Sequence, residues 1–323
     1  MQYDAWEIGS MYESVPVSLN GTHTCQALTD EVGSLTITVE RQERYFTAVQ
    51  KICLYQDSPR VDFATTIDWH ERHRMLKVDF PTTVYTKEVL EEIQFGYIRR
   101  PTHKSTRQEK DQYETCHHKY AVLTDGENGF ALLNDCKYGL SAQDSRLSLT
   151  LLRSPLAPDM TADQGLHEFT YSILPFEGPF SESRVTQEAY ECNVAGTECS
   201  MHPDTVSTDA VSGCAGAGRM DAGSCRTTTE PINVLSYFQV DSGHIIIETC
   251  KPAFDAANGV VLRLYEAKGF AGKAYLTLPA LVKQVFACNM LEESLQELEM
   301  QAGHRVRLSF HAFEIKTLLL TVI

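Results

Sequence analysis

An all-β protein assembled from antiparallel sandwiches is the fold class that this 323-residue sequence predicts. Three observations carry it. Leu35, Ile37 and Val39 alternate with Thr36 and Thr38, and Leu147, Leu149 and Leu151 alternate with Ser148 and Thr150. That is the period of two by which a strand buries one face. Thr124-Asp-Gly126 followed by Asn128-Gly129 supplies the residues of a tight hairpin turn. Helical periodicity is almost absent. Only Leu291, Leu295 and Leu298 sit at helical spacing, enough for a turn or two of helix.

Taken in order, β-like runs cover Tyr45 to Tyr55, Val61 to Trp69, Leu76 to Phe80, Ile93 to Ile98 and Tyr113 to Val122. Phe130 to Leu133, Leu147 to Leu151 and Phe169 to Leu174 follow, the last ended by Pro175. Short strands separated by turn signals indicate a large antiparallel sandwich. Residues 193–230 are rich in Gly, Ser, Thr, Ala and Asp and poor in bulky apolar side chains, which predicts a long flexible loop or linker. Strands resume at Phe238 to Val240, Ile245 to Glu248 and Val260 to Glu266, the last two joined across Asn258-Gly259. Tyr275 to Leu278, Val282 to Ala287, Val306 to Phe310 and Ile315 to Ile323 complete a smaller β unit. The expected organisation is therefore a large sandwich over 1–192, a linker over 193–230 and a smaller β domain over 231–323.

Charge narrows the partners. A net charge of −15 argues against nucleic acid, which needs a basic surface to displace counterions. It suits neutral substrates such as sugars. No run approaches the roughly 18 uninterrupted apolar residues of a membrane span, and Met1 to Glu7 has neither the basic nor the apolar region of a signal peptide. Ten cysteines without a C-x-x-C predict free thiols in a reducing cytoplasm. Cys199, Cys214 and Cys225 lie close together but lack a fourth ligand at zinc-like spacing.

A specific vocabulary runs from Arg60 to Tyr171: Arg60-Val-Asp-Phe63, Asp68-Trp69, Leu76-Lys-Val-Asp-Phe-Pro81, Glu92-Ile-Gln-Phe-Gly96, Arg100-Pro-Thr-His103 and Leu132-Leu-Asn-Asp-Cys-Lys-Tyr-Gly139. Leu151-Leu-Arg-Ser-Pro155, Pro158-Asp159, Asp163 to Gly165 and His167-Glu-Phe-Thr-Tyr171 close it. With Tyr3-Asp-Ala-Trp-Glu-Ile8 ahead and Arg263-Leu-Tyr-Glu266 and Phe313-Glu-Ile-Lys316 behind, the chain resembles the carboxy-terminal half of the family-38 α-mannosidases, in particular the cytosolic and vacuolar-type branch. The resemblance implies a supersandwich like that of galactose mutarotases for the larger unit. It implies that the nucleophile, the general acid and the ligands of a divalent metal, commonly zinc, lie in an amino-terminal α/β barrel upstream. A fragment, a split-gene product or a truncated reading frame is then expected.

A glycosidase needs two carboxyl groups flanking the scissile bond. Asp159 and Asp163 are such a pair by spacing, but turn-capping carboxylates explain them as well, and the resemblance places the catalytic pair elsewhere. No catalytic residue and no metal ligand is expected in this chain. His70-Glu-Arg-His73 lacks the four-residue spacing that sets two imidazoles on one helical face. His117 and His118 point to opposite faces if they lie on a strand. Arg153 ends an alternating strand, and its five fixed donors suit sugar hydroxyls or a carboxylate. By resemblance it is the first candidate for contact with sugar; a structural pair with Asp159 or Asp163 is the competing reading. Arg100 and His103, in a loop stiffened by Pro101, and Tyr138, as a stacking ring or a gap filler, complete the substrate-binding candidates.

Three functions compete. The first is the carboxy-terminal part of an enzyme that releases terminal α-linked mannose from oligosaccharides, here buttressing the barrel, lining the pocket and inactive alone. The second is a stand-alone sugar-binding module. The third is a structural subunit docking on a separately encoded barrel chain, with homo-oligomer formation also open.

Overall fold

The computed structural model describes residues 4–29, 33–194, 236–256, 258–302 and 304–322. The 193–230 linker falls almost wholly outside the described residues, and Cys199, Cys214 and Cys225 with it.

Alternation in the sequence becomes thirteen strands in the larger unit. These are β1 (Thr22–Thr29), β2 (Leu35–Gln42), β3 (Phe46–Tyr55), β4 (Ser58–Trp69), β5 (Met75–Pro81), β6 (Glu88–Ile93) and β7 (Gly96–Pro101). Then come β8 (Thr115–Cys116), β9 (Tyr120–Thr124), β10 (Asn128–Asn134), β11 (Gly139–Gln143), β12 (Arg146–Arg153) and β13 (Gly165–Glu177). They form a nine-stranded sheet, β1-β2-β3-β4-β13-β10-β9-β6-β7, and a four-stranded sheet, β5-β12-β11-β8. Every described pairing is antiparallel. The core lies between the two sheets, where Ile67, Trp69, Leu123, Leu132 and Phe169 meet Leu140, Leu147, Leu149 and Leu152.

The other face of the large sheet is also apolar. Tyr120, Val122, Ala131 and Leu133 pack there against Phe180, Val185 and Ala189. The last two belong to α2 (Val185–Asn193), a helix that follows a 3-10 turn at Phe180–Glu182. The shorter α1 (Arg107–Asp111) is fixed by a capping box between Thr106 and Glu109.

The second unit holds β14 (Gln239–Val240), β15 (Ile245–Pro252), β16 (Gly259–Glu266), β17 (Gly272–Thr277), β18 (Val282–Cys288), β19 (Ser294–Leu298), β20 (Met300–Gln301), β21 (Arg305–Phe310) and β22 (Ile315–Val322). Sheets β14-β17-β21-β20 and β15-β16-β22-β18-β19 enclose Leu262, Leu264, Leu276, Val285, Leu308 and Leu318. The hairpin turn at residues 125–127 falls where the turn residues predict, whereas β15 and β16 are joined by a longer connection, with Gly259 already on β16.

Four expectations need correction. Leu295 and Leu298 lie on β19, not on a helix, and Leu291 and Leu295 are exposed, so no apolar helical face exists there. The run Ile93 to Ile98 is a hairpin: Ile93 faces Gly96, and Phe95 turns the chain at a φ of 61°. Tyr113 to Val122 is two strands, broken at His117-His118. Pro175 does not end β13, which runs to Glu177. Pairing with β4 stops at Ile173, so beyond it the strand needs fewer backbone donors.

The two sandwiches touch through buried groups. Tyr265, Ile246 and Ala267 pack against Phe95 and Tyr190, and the Tyr190 and Tyr265 hydroxyls lie 3.1 Å apart. Lys268, fully buried, donates from Nζ to the carbonyls of Phe180 (3.0 Å) and Ser183 (3.2 Å) across the junction.

Candidate functional site

The polar words of the sequence fold into ties between distant segments. The first joins the start of the chain to the β12–β13 loop. Asp4 is buried, and its carboxylate accepts from the N–H of Leu156 (2.9 Å) and Ala157 (2.8 Å), with His73 Nδ1 at 2.8 Å. The N–H of Ala5 donates to the Ala157 carbonyl, and the Arg153 guanidinium donates to the carbonyl of Glu7. The Arg153 N–H donates to Asp163 Oδ2 at 2.8 Å, so Asp163 holds the backbone of Arg153 rather than its side chain. Asp159 accepts from the N–H and hydroxyl of Thr161 and closes its own turn. Below them, Trp69 Nε1 donates to Ser154 Oγ at 3.1 Å inside the core.

Burial pushes the Asp4 pKa up, but hydrogen bonds from Leu156, His73 and Ala157 outweigh it and hold it at about 2. A folded pKa below the unfolded value of about 3.9 stabilises the chain at neutral pH. That stability is lost as pH falls through about 2. Asp4→Asn should therefore lower the urea midpoint at pH 7 and flatten its fall between pH 4 and pH 2, relative to the parent chain. Parallel midpoint curves across that window would remove the charged tie. His73 serves this tie, whereas His70 Nε2 pairs with Asp68 at 2.9 Å, so the two imidazoles do not act together.

The second tie holds β7 to its neighbours. Glu91 is completely buried and accepts from Arg100 Nε and Thr115 Oγ1, both at 2.6 Å. Burial pushes its carboxyl pKa up, against the pull of Thr115 and Arg100. His103 Nδ1 lies 3.1 Å from Ser105 Oγ and 4.0 Å from Glu109. Arg100, His103, Glu91 and Glu114 line one cavity of about 30 Å³.

A third tie orders the loop after β10. His117 is fully buried; its Nδ1 lies 3.1 Å from the Tyr138 carbonyl and its Nε2 lies 2.9 Å from Asn134 Nδ2. An amide nitrogen only donates, so Nε2 accepts and the proton sits on Nδ1. Burial holds the His117 pKa down at about 4, leaving the ring neutral at physiological pH. Asn134 also donates to the His118 carbonyl and accepts from the Lys137 N–H. Tyr138 stays 44% exposed, its ring 5.3 Å from that of His118.

The structure thus brings Arg100 and His103 to one cavity and sets Arg153 and Tyr138 on separate ties, with different partners. Asp4, Glu91 and Lys268 escaped notice in the sequence. Each is an ordinary charged residue; the partners of Asp4 and Lys268 lie far along the chain, and Glu91 meets Arg100 across the β6–β7 hairpin. Only the phrase around Asp4 carried a signal. Among the described residues, no three His, Cys, Asp or Glu side chains converge to hold a metal ion. They do not fit the divalent metal that the resemblance implies, and no chemical step is assigned to a metal on them. Cys25, Cys53, Cys116, Cys192, Cys250 and Cys288 are free thiols.

Among the described residues, two antiparallel sandwiches are thus held by buried polar ties. The glycosyl hydrolases family 38 C-terminal domain matches residues 1–161, and the family 38 C-terminal beta sandwich domain matches residues 244–318. The chain belongs to glycosyl hydrolase family 38, as its carboxy-terminal domains. It is 37% identical to human alpha-mannosidase 2C1 over 281 residues, which is 84% of this chain and 24% of that protein. Alpha-mannosidase G of Dictyostelium discoideum is 37% identical over 275 residues, 83% of this chain and 23% of the relative. The chain therefore spans about a quarter of the length of these relatives. An alpha-mannosidase from Enterococcus faecalis V583 superposes with a TM-score of 0.68 at 16% identity, over 93% of this chain and 35% of that one. That likeness concerns the fold.

Proposed function

We propose that this chain is the carboxy-terminal β-sandwich portion of an α-mannosidase that hydrolyses terminal α-linked mannose from oligosaccharides in the cytoplasm. Its role is to buttress a catalytic barrel and wall the sugar pocket. The nucleophile and a divalent metal, zinc by resemblance, belong to that barrel, whether it is joined to this chain or separately encoded. The observation that carries this reading is the pair of family 38 carboxy-terminal domains, matched in order on the two sandwiches. Asp159 closes its own turn on Thr161, and Asp163 holds the backbone of Arg153. Arg153, at the end of β12 beside the loop tied to the incoming chain, is the residue proposed to reach sugar. Tyr138, Arg100 and His103 are proposed as further wall residues. No helix among the described residues is long and apolar enough to cross a membrane.

The reading predicts no turnover of a chromogenic α-mannoside by the purified 323-residue chain, with zinc or cobalt added. Metal-dependent release of the chromophore above a buffer blank would overturn it.

A further inference from the structure

The polar contacts around the buried His117 ring are made by groups that have no choice of role. Its backbone N–H and its Nδ1 both lie 3.1 Å from the Tyr138 carbonyl, which only accepts. Its Nε2 faces Asn134 Nδ2 at 2.9 Å. That amide cannot turn round to suit a different ring. Its Oδ1 accepts from the Lys137 N–H at 2.7 Å, and its Nδ2 donates to the His118 carbonyl at 2.6 Å. A flip would set donor against donor at Lys137 and acceptor against acceptor at His118. Asn134 itself is anchored, its N–H on the Lys119 carbonyl and its carbonyl on Asn193 Nδ2 of α2. Backbone groups on both sides of the ring therefore require a proton on Nδ1 and none on Nε2.

We propose that His117 is a positioning residue for Tyr138, effective only as this neutral ring, and that a second proton unlocks the loop from Asn134 to Tyr138. Its consequence at the sugar rests on the reading of Tyr138 as a wall residue; the loop mechanism does not. A protonated Nε2 would point an N–H at the Asn134 amide, two donors with no acceptor between them. Burial opposes the charge first, and the His118 ring adds to it, against the pull of the Tyr138 carbonyl. The carboxylates on the elements packed nearby have other partners. On β6, Glu91 is engaged by Arg100 and Thr115, and Glu92 by Lys119. On α2, Glu188 pairs with Arg60 and Glu191 with Arg184. In the loop, Asp135 accepts from the Thr170 N–H, and Lys137 lies over the Phe169 ring. Opening the loop lets the ring take a proton at its ordinary value of about 6.5, whereas the closed fold holds it at about 4. Each pH unit between the two favours the open loop by up to about tenfold.

Two measurements on the 323-residue chain test this. Imidazole nitrogen-15 shifts at pH 7 should show His117 protonated at Nδ1 and bare at Nε2. Hydrogen exchange of the Lys137 amide, corrected for its intrinsic rate, should lose about tenfold in protection between pH 6.5 and pH 5. The amide of Leu132, in the middle of the large sheet, should lose less. His117→Gln offers a donor and an acceptor but does not titrate, so it should flatten the Lys137 profile. His118→Gln should leave that profile in place. A proton on Nε2 at pH 7 overturns the proposal, as does a flat parent profile. A fall matched at Leu132 also overturns it, because the whole chain is then opening, and so does a profile abolished by His118→Gln. The parent chain decides the matter even if a variant misfolds. Turnover of an α-mannoside by the lone chain would strike the functional reading and leave these results standing.

Discussion

Arg60→Met is expected to destabilise the larger sandwich by about 3 kcal/mol, because it strands Asp62 and leaves Glu188 only the exposed Arg184, 3.8 Å away. Arg60 Nε donates to Asp62 Oδ1 at 2.9 Å, and its Nη1 donates to Glu188 Oε2 at 2.7 Å. The side chains are 17%, 14% and 10% exposed, too dry for water to replace the guanidinium. Asp62 also collects the hydroxyls of Tyr55 (2.8 Å) and Ser172 (2.6 Å), so its charge is fixed in place. Glu188 lies on α2, so the fork of Arg60 pins the helix to the sheet it covers. Chemical denaturation measures the effect. A loss below about 1 kcal/mol would place the cluster with exposed ion pairs, which contribute little. Arg60→Lys keeps the charge but not the planar fork, and should lose an intermediate amount. The double variant Arg60→Met, Glu188→Gln should be less damaging than the sum of its parts, since the stranded charge on the helix is removed with its partner.

That cluster also shows which features were legible in the sequence. The alternating runs Leu35 to Val39 and Leu147 to Leu151 are both strands, but burial does not alternate along them: residues 35–39 are all half-buried, and Ser148 is buried beside Leu147 and Leu149. The helix that Arg60 holds was not legible. Only Val185, Thr186, Glu188 and Ala189 are buried on α2, a two-turn contact too short to set a period. Leu291, Leu295 and Leu298 produced the opposite error, because spacing alone does not reveal that two of the three face water. Polar residues are harder still. Arg60 and Glu188 are 128 positions apart, and Asp4 and Leu156 are 152 apart. No local pattern encodes such pairs. The dense vocabulary from Arg60 to Tyr171 reads as an active site until each side chain has a partner; Asp62, Glu91, Asn134 and Asp163 then emerge as joints of the scaffold. Arg153 was noticed for its strand-end position. Its hold on the Glu7 carbonyl depends on the Asp4 tie, which lies outside its own neighbourhood in sequence.

The junction between the sandwiches should become more stable as pH rises from 8 toward 10, the reverse of the usual alkaline decline, and Lys268 is the reason. Its ammonium is buried over the Phe180 ring, 3.9 Å from the centroid, and donates to the Phe180 and Ser183 carbonyls. The neighbouring Glu266 carboxylate is taken up by the N–H groups of Lys268, Gly269, Phe270 and Phe313. Burial therefore lowers the Lys268 pKa to about 8, with Glu266 opposing. Between about 8 and the unfolded value of about 10.4, the unfolded chain keeps a proton that the folded chain has released. Stability then rises with pH, by up to about 3 kcal/mol across the full window. Buried tyrosines work against it at the alkaline end. Tyr171 is raised to about 12 by burial, and Tyr120 and Tyr265 are raised further, so all three resist ionisation in the fold. Comparison with Lys268→Met separates the two effects, since the tyrosines are common to both chains. The difference in unfolding free energy, parent minus variant, should grow by about 2 kcal/mol from pH 7.5 to pH 9.5. A difference that stays constant with pH would mean that Lys268 keeps its proton throughout, held by the two carbonyls and Glu266 more firmly than burial disfavours it.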